Sequence, residues 1–286
     1  MQIKYDKHPE LWKKISSNNE PSSEKSWLDK SSLDYWRHNR IRNSIKALIT
    51  NTKNKKWITI GDGRFGTDAN FLLTSGCSNV TATDISEELL AIGARKKFIT
   101  RYAAQNAEKI TYKDDSFDYA LCKEAYHHFP RPVIALYEML RISKYGIVLI
   151  EPNDQANIQI PFINSFTQKH QFESIGNYVY SLSRHEIEKI MLGIGLRFYA
   201  FKGVNDYYIE GIEDCPQKNG SFKQHLNRLK LKTIIWVKDV LLSLHLKNSN
   251  LISIIIFKQE PQAKLLSSLI KDGFKFKTLP LNPYAQ

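Results

Sequence analysis

The sequence predicts an α/β protein with a mostly parallel sheet and helices on both of its faces. Short apolar segments of strand composition alternate with helical patterns between about residues 57 and 152, as expected of a parallel sheet with crossover helices. A glycine-containing turn follows the first of these strands. The chain has 286 residues, of which 42% are hydrophobic, and this is enough for one large core.

Residues 1–50 are predicted to be a lead-in followed by a helix that precedes the main domain. Residues 1–26 are polar, and we expect them to form a loop or a partly ordered segment. Apolar residues at Leu33, Trp36 and Ile41 then recur at helical spacing, which predicts an amphipathic helix.

Residues 51–260 are predicted to form the main domain. In chain order, its first predicted elements are a strand at 57–60, a helix at 67–74, a strand at 80–84, a helix at 86–99, a short strand around 102, a strand at 117–123, a helix at 131–142 and a strand at 146–152. Ser86 is the expected N-terminal cap of its helix. The last strand is apolar through its centre, which is typical of a strand buried on both faces.

The signals are weaker after residue 152. There the predicted elements are a helix at 183–192, a bent strand region at 195–208, a helical insertion at about 211–250, a strand at 251–257 and, within a tail at 261–286, a short helix at 265–270 and an extended end. The insertion is predicted to be helical because apolar residues such as Phe222, Leu226 and Leu229 recur at helical intervals.

The charge and the cysteine content indicate which classes of partner and which cellular compartment suit the protein. Lys and Arg number 41 against 29 Asp and Glu, and the resulting net charge of +12 attracts nucleic acid, an anionic membrane surface or phosphorylated substrates. The three cysteines are widely scattered, so they suit a reducing compartment and offer no zinc-ligand spacing. No segment has the apolar pattern of a signal peptide or of a membrane span, and we therefore expect a cytoplasmic protein.

The first candidate site is the turn at 61–66, which reads Gly-Asp-Gly-Arg-Phe-Gly. Glycines let a ligand approach the backbone closely, and the helix that follows begins with free N–H groups. Asp84 lies about 20 residues further on, at the end of the second predicted strand, where a carboxylate can accept hydrogen bonds from both hydroxyls of an adenosine ribose. Together these features predict a site for a nucleoside cofactor.

A block before the fourth predicted strand indicates which cofactor this is. The segments 106–110 (Asn-Ala-Glu-Lys-Ile) and 115–118 (Asp-Ser-Phe-Asp) resemble the adenine-contacting loop of the class I S-adenosylmethionine-dependent methyltransferases, in the methyltransferase-11-like branch. The resemblance spans roughly residues 57–152. It implies a Rossmann-like fold with a mostly parallel seven-stranded sheet, and it implies S-adenosylmethionine as the cofactor.

The resemblance also implies a set of cofactor-binding residues. These are Gly61, Asp62, Gly63, Gly66, Asp84, Ile85, Asn106, Ala107, Glu108, Lys123 and Glu124. The sequence departs from the family at two points, because Thr59 stands where an acidic residue is usual and the third glycine is displaced to Gly66. We expect Asp62 to supply the missing negative charge near the methionine ammonium.

Catalytic candidates are expected at the carboxyl end of the fourth strand. His127 and His128 have the pKa range of a base near neutral pH, and a base assists methyl transfer to a hydroxyl. The alternative is that this pair only shapes the loop. Glu124 could instead contact the cofactor or orient an acceptor. Glu151 and Asp154, at the end of the fifth strand, either form a turn or line the acceptor pocket. We predict no metal site from these residues.

The insertion and the N-terminal helix are predicted to form a lid. The insertion carries its basic residues on a helix whose other face is apolar, and they are Lys223, Arg228, Lys230, Lys232 and Lys238. Such a helix could cover the acceptor pocket, make a peripheral contact with an anionic membrane, dock on a partner chain or face solvent. The N-terminal segment adds aromatic and basic residues, which are Tyr35, Trp36, Arg37, His38, Arg40 and Arg42.

The pattern of the whole chain resembles bacterial methyltransferases of surface-glycan biosynthesis. The segments that carry this resemblance are 60–66, 123–132, 149–154 and 279–284. We therefore predict an O-methyltransferase that acts on a hydroxyl of a sugar, nucleotide sugar or glycan. The alternatives are a methyltransferase for another small molecule, an RNA methyltransferase, and a non-catalytic scaffold, which Thr59 keeps open. Nucleic acid is disfavoured because the positive charges are spread along the chain and no RNA-binding module is present.

Overall fold

The computed structural model describes residue 10 and residues 26–154 and 178–285. The predicted lead-in at 1–26 therefore lies, apart from residues 10 and 26, outside the described residues. The strands are β1 (Lys56–Ile60), β2 (Asn79–Asp84), β3 (Tyr102–Ala104), β4 (Phe117–Lys123), β5 (Ser143–Pro152), β6 (Phe198–Val204), β7 (Leu251–Phe257) and β8 (Lys275–Thr278). The α-helices are α1 (Leu33–Arg42), α2 (Lys46–Asn51), α3 (Thr67–Thr74), α4 (Glu88–Arg95), α5 (Pro132–Ile142), α6 (Arg184–Gly193), α7 (Phe222–Ser243) and α8 (Ala263–Lys271).

The eight strands form one sheet in the order β3-β2-β1-β4-β5-β7-β6-β8. Strands β1 to β5 pair with their neighbours in parallel, whereas β7 runs antiparallel to β5 and β6, and β8 runs antiparallel to β6. This confirms the predicted α/β fold with helices and a mostly parallel sheet. The expectation of seven strands is corrected to eight.

The eighth strand arises from the alternating sequence of the tail. Phe274 is buried and Phe276 is partly buried against the same core, while Lys275 and Lys277 are exposed. This alternation matches the two faces of a strand, and the Phe198 and Phe276 rings stack with their centroids 6.4 Å apart. The exposed lysines also suit a sheet edge, because charge there discourages further strand pairing.

Alternating side chains of the central strands fill two separate cores, one on each face of the sheet. Trp57 of β1 belongs to the core covered by α2, α3 and α8, whereas its neighbour Ile58 belongs to the core covered by α5 and α6. In β7, Ile255 and Ile256 divide in the same way. Because these strands are apolar on both faces, they lie inside the sheet and not at its edges.

The helix predicted from Ser86 starts later than expected. It begins at Glu88, and no side chain caps it. The Ser86 hydroxyl donates a hydrogen bond to the Glu88 carboxylate, and the Ser86 N–H donates to Asp84. The Ser86 backbone therefore stabilises the acid at the end of β2.

Helix α7 packs on α1, and a third apolar cluster joins them. Leu231 and Ile235 of α7 lie in it with Leu33 of α1. The helix starts with a capping box, in which the Ser221 hydroxyl accepts from the Gln224 N–H and the Gln224 side chain accepts from the Ser221 N–H. In the described ranges, no helix combines the length and the apolar character that crossing a membrane requires.

Candidate active site

Three parallel strands end together where the sequence places the candidate cofactor residues. Strand β1 leads into Gly61, β2 ends at Asp84 and β4 ends at Lys123, and β1 lies between the other two in the sheet. The carboxyl ends of adjacent parallel strands form one edge, and ligands of open α/β sheets bind there. The register therefore brings together residues that are up to 62 positions apart in the chain.

The glycine loop runs tightly between these strand ends. Gly61 has a positive φ of 72°, and a Cβ added to it would lie 2.4 Å from the Ala125 Cβ. A Cβ on Gly63 would lie 2.8 Å from an Asp84 carboxylate oxygen. Real Cβ contacts are not this short, so glycine is required at both positions, and the backbone at Gly63 is left open beside the acid.

Asp84 is held in place by the loops around it. Its carboxylate accepts a hydrogen bond from the Ser86 N–H at 3.0 Å and further ones from the N–H groups of Gly63 and Ile85. Burial raises the pKa of Asp84 to about 6, although these three donors act in the opposite direction. The site can therefore hold a carboxylate at neutral pH, directly beside the glycine loop.

Asp62 points back into its own loop. Its carboxylate accepts from the Thr59 hydroxyl at 2.8 Å and from the N–H groups of Asp68 and Ala69, at the start of α3, at 3.1 and 2.8 Å. Burial raises the pKa of Asp62 to about 8, and the nearby Asp68 carboxylate adds to the shift. These bonds give Asp62 a local role in fixing the loop, and its expected contact with a ligand stays a prediction.

The loop at 106–108 is fixed by its own side chains. The side-chain Oδ1 of Asn106 accepts from the Glu108 N–H at 2.9 Å. The buried Glu108 carboxylate accepts from the Arg131 N–H at 2.7 Å and from the Arg131 Nε at 2.6 Å, which ties the loop to the start of α5. Ala107 is buried in the core between them. Glu108 therefore positions this loop through Arg131.

Lys123 and Glu124 form a polar cluster with His38 of α1 at the end of β4. The Lys123 Nζ donates to the Glu124 carboxylate and lies 3.2 Å from the His38 Nδ1, which is itself 3.3 Å from Glu124. Burial and then the Lys123 charge hold the pKa of His38 well below its usual value, so its ring is neutral at pH 7. Burial works to raise the pKa of Glu124, but Lys123 and His38 outweigh it and hold that pKa well below its usual value.

The predicted lid helix α1 makes further polar contacts with the domain. Arg37 pairs with Asp206 at 3.3 Å. Arg42 donates to Asp68 at 2.5 Å and to the Thr67 hydroxyl at 2.8 Å, at the start of α3. Helix α1 is thus bonded through buried charges to the helix that follows the glycine loop.

His127 and Glu151 form a buried pair beside the same edge. The His127 Nδ1 lies 2.6 Å from the Glu151 Oε2, and the other carboxylate oxygen accepts from the N–H groups of Ala125 and Tyr126, both at 3.0 Å. Glu151 is fully buried, and His127 is 6% exposed. The His128 ring packs on the His127 ring with the centroids 4.0 Å apart. An ionised carboxylate can only accept a hydrogen bond, so this contact places the proton of a neutral His127 ring on Nδ1.

The sequence predicts Glu151 in a turn or in the acceptor pocket and His38 in the lid, but it does not identify their partners. These partners come from the register and from the packing of the N-terminal helix. Lys123 pairs with Ile150 between β4 and β5, so the residues that come next in the two segments lie near each other. That neighbour relation could have indicated the position of Glu151 beside the loop after β4, but no local signal indicated that His38 lies beside Lys123. Within the residues that the structure describes, no group of three or more His, Cys, Asp and Glu side chains is arranged to hold a metal ion.

Comparison with known proteins assigns the central part of the chain. Residues 59–150 match the protein family described as "Methyltransferase domain". The chain is similar to the YcgJ protein of Bacillus subtilis, with 17% identity over 77% of this chain and 99% of that one and a TM-score of 0.51. It is also similar to a candidate sarcosine dimethylglycine methyltransferase of Galdieria sulphuraria, with 14% identity over 78% and 86% of the chains and a TM-score of 0.50.

A further similar structure is the magnesium protoporphyrin IX methyltransferase of Synechocystis PCC 6803 with bound SAH, at 17% identity over 55% of this chain and 71% of that one and a TM-score of 0.43. No curated protein matches the sequence. The Bacillus and Galdieria structures show a shared fold. The match of residues 59–150 to a methyltransferase domain supports an enzyme that uses S-adenosylmethionine.

Proposed function

We propose that this S-adenosylmethionine-dependent methyltransferase methylates a hydroxyl group of a sugar, nucleotide sugar or glycan. The observation that carries the proposal is the pair of His127 and Glu151, 2.6 Å apart at the carboxyl end of β4. A hydroxyl must lose its proton when its oxygen attacks, and a positioned base contributes about 10²- to 10⁴-fold to such a step. A buried imidazole backed by a carboxylate is suited to that task.

The residues present fit the cofactor. Gly61 and Gly63 leave the backbone open at the strand edge, and the Asp84 carboxylate beside them can accept hydrogen bonds from two ribose hydroxyls. Asn106 and Ala107 border the side where the family resemblance expects the adenine. When bound, the cofactor supplies a methyl group activated by a positively charged sulfur. The protein's contribution is to hold the acceptor oxygen in line with that methyl group and to exclude competing nucleophiles.

Glu124 is the best candidate for the charge that Thr59 does not provide. Asp62 already accepts three hydrogen bonds within its loop, whereas the Glu124 side chain is 25% exposed at the end of β4. Lys123 and His38 keep Glu124 ionised by holding its pKa low. We propose that Glu124 accepts hydrogen bonds from the methionine ammonium, and that Asp62 supports the loop without contacting the cofactor.

His127 acts as the base in this proposal. Because its Nδ1–H is donated to Glu151, the lone pair of the ring lies on Nε2. As the acceptor oxygen attacks, Nε2 would take up the proton of its O–H bond, and the electron pair of that bond would stay on the oxygen. The imidazolium that forms is stabilised by the Glu151 carboxylate, as in other His–carboxylate pairs. His128 packs on the ring and supports its orientation.

The proposal of a sugar as acceptor rests on the sequence resemblance, and the proposal of a hydroxyl as the methylated group rests on the pair of His127 and Glu151. RNA is a weaker candidate as acceptor, because two basic residues of the lid are buried and used internally. Arg37 pairs with Asp206, and Arg42 pairs with Asp68. They are therefore not part of a phosphate-binding surface, which needs exposed cations.

The test is a scan of acceptors with radiolabelled S-adenosylmethionine, using sugars, nucleotide sugars, lipid-linked glycans and RNA. With the acceptor found, His127→Ala should lower kcat by about 10²-fold or more, with cofactor affinity unchanged. His128→Ala is the matched control and should lose less. Near-normal turnover in both variants would refute the assignment of the base. Methylation of RNA in preference to every sugar would refute the acceptor class.

A further inference from the structure

The outer face of α7 exposes a row of large apolar side chains. Phe222 is 78% exposed, Trp236 is 65% exposed and Leu229 is 56% exposed, and Leu226 and Leu244 are also exposed. Their spacings of four, three, seven and eight residues place them on one side of a helix. Folded chains rarely leave so extended an apolar surface in water, and such surfaces mark interaction sites.

The apolar residues that predicted the insertion helix, such as Phe222, Leu226 and Leu229, lie on its exposed side. The buried residues are Leu231 and Ile235, which lie on the opposite side and pack with Leu33. The helix thus has two apolar stripes. The inner stripe attaches it to α1, and the residues of the outer stripe are not members of the apolar clusters found in the described ranges.

Basic side chains border the outer stripe. Lys223, Lys230 and Lys232 are exposed along it, and Asp239 is the only acidic residue in the 22-residue helix. The remaining two cations of the helix are engaged elsewhere, because Arg228 donates to the Asn219 carbonyl and Lys238 donates to the Asp206 carbonyl. The outer stripe is therefore apolar at its centre and positively charged at its margins.

We propose that α7 is a membrane-surface helix that lies in the plane of an anionic lipid bilayer. Apolar side chains on a helix face enter the headgroup and acyl boundary, and lysines beside them attract anionic lipids. A second copy of the chain fits this face less well, because a two-fold contact would bring the same lysines together in a protein of net charge +12. The helix would lie on the surface without crossing it, in keeping with its apolar content.

The orientation has a structural consequence for the rest of the molecule. Helix α7 packs on α1, and α1 in turn contacts Lys123 and Glu124 at the strand ends. Binding through the outer stripe would hold this side of the enzyme near the bilayer. The proposal concerns lipid binding alone, so it can be tested without an acceptor and independently of the proposed function.

The test is vesicle sedimentation of the full chain with phosphatidylcholine vesicles, with and without about 30% phosphatidylglycerol. We expect binding to the anionic vesicles that weakens with salt. The double variant Leu229→Glu, Trp236→Glu should bind at least about tenfold more weakly, because it places charge in the stripe. Replacing Lys223 and Lys230 by Gln should weaken binding about fivefold per lysine.

The matched control is Ile270→Glu, which makes the same kind of change on the exposed face of α8, where Ile270 is 55% exposed. It should bind like the unchanged protein. Because all the substituted residues are exposed, thermal unfolding should be nearly the same in every variant. Equal binding by the double variant and the control would overturn the proposal. So would a self-association in solution that the double variant abolishes while no vesicle binding is seen.

Discussion

The pair of His127 and Glu151 can be tested by replacing one atom in the Glu151→Gln variant. The amide oxygen of Gln can still accept from the Ala125 and Tyr126 N–H groups, which now lie 3.0 Å from the carboxylate. Its NH₂ group would face the His127 Nδ1, which must then accept a hydrogen bond. The ring proton moves to Nε2, and the lone pair needed for catalysis is lost.

The expected effects on stability and on rate differ in size. The variant loses one charge-assisted hydrogen bond, a contribution of about 1.5–3 kcal/mol, but it no longer buries a charge, so we expect the free energy of unfolding to fall by about 1–2 kcal/mol. A wrong tautomer in a comparable pair costs about 10⁴ in kcat. A loss of about 10³- to 10⁴-fold corresponds to about 4–5.5 kcal/mol of activation free energy, well above the stability effect.

Three measurements read out this prediction. Initial rates with a saturating acceptor give kcat, urea unfolding gives the stability, and nitrogen-15 NMR of the His127 ring reports which nitrogen carries the proton. Glu138→Gln is the control. Glu138 pairs with Arg141, with the two atoms 2.8 Å apart, and this pair lies away from the strand ends. The control should leave kcat unchanged. A Glu151→Gln enzyme with near-normal kcat, or with a loss no larger than unfolding accounts for, would refute the role of the pair.

Three other predictions concern charges at the site. The pKa of Asp84 is raised to about 6, so the folded protein binds a proton at this carboxyl more tightly than the unfolded chain does, and the stability that this proton contributes is present at low pH and is lost as pH rises from about 4 to about 6. Asp84→Asn should remove up to about 3 kcal/mol of this pH dependence of the free energy of unfolding, measured by urea unfolding across pH, and should weaken cofactor binding. An unchanged pH dependence would contradict the raised pKa. Arg42→Ala leaves the buried Asp68 without its partner and should lower the free energy of unfolding by about 3–5 kcal/mol. Lys258→Ala breaks the exposed pair with Asp115 and should lower it by less than about 1 kcal/mol, and equal losses would show that burial does not determine how much these ion pairs contribute to stability. Measured by calorimetry, Glu124→Gln should lower the affinity for S-adenosylmethionine by about tenfold or more, and Asp62→Asn should lower it less. The reverse order would indicate that Asp62, and not Glu124, contacts the methionine ammonium.

The features that follow from local pattern could be predicted from the sequence. An apolar run such as 251–257 predicts a strand, and the glycine turn at 61–66 predicts where a strand ends. The position of Asp84 at the sheet edge could also be predicted, because the strand before it fixes that position. The contacts between distant segments could not be predicted from the sequence. His38 reaches Lys123 across 85 positions, and only the packing of α1 on the sheet edge brings them together.

Two other features have the same physical origin. The free N–H groups at the start of α3 lie within reach of the Asp62 carboxylate and donate to it, and no local pattern indicated these bonds. The tail strand β8 was expected only as an extended end, because pairing with β6 depends on an edge that the sequence does not reveal. In each case a hydrogen-bonding group finds a partner that lies close in the fold.

Calorimetric titration of the folded protein with S-adenosylmethionine and with its demethylated product measures the central claim most directly. We expect both to bind at one site per chain, and we expect Gly63→Ala, which brings a methyl group to within 2.8 Å of Asp84, to weaken both by about tenfold or more. No heat of binding for either compound in fully folded protein would contradict the account, and so would unchanged affinity in the Gly63→Ala variant.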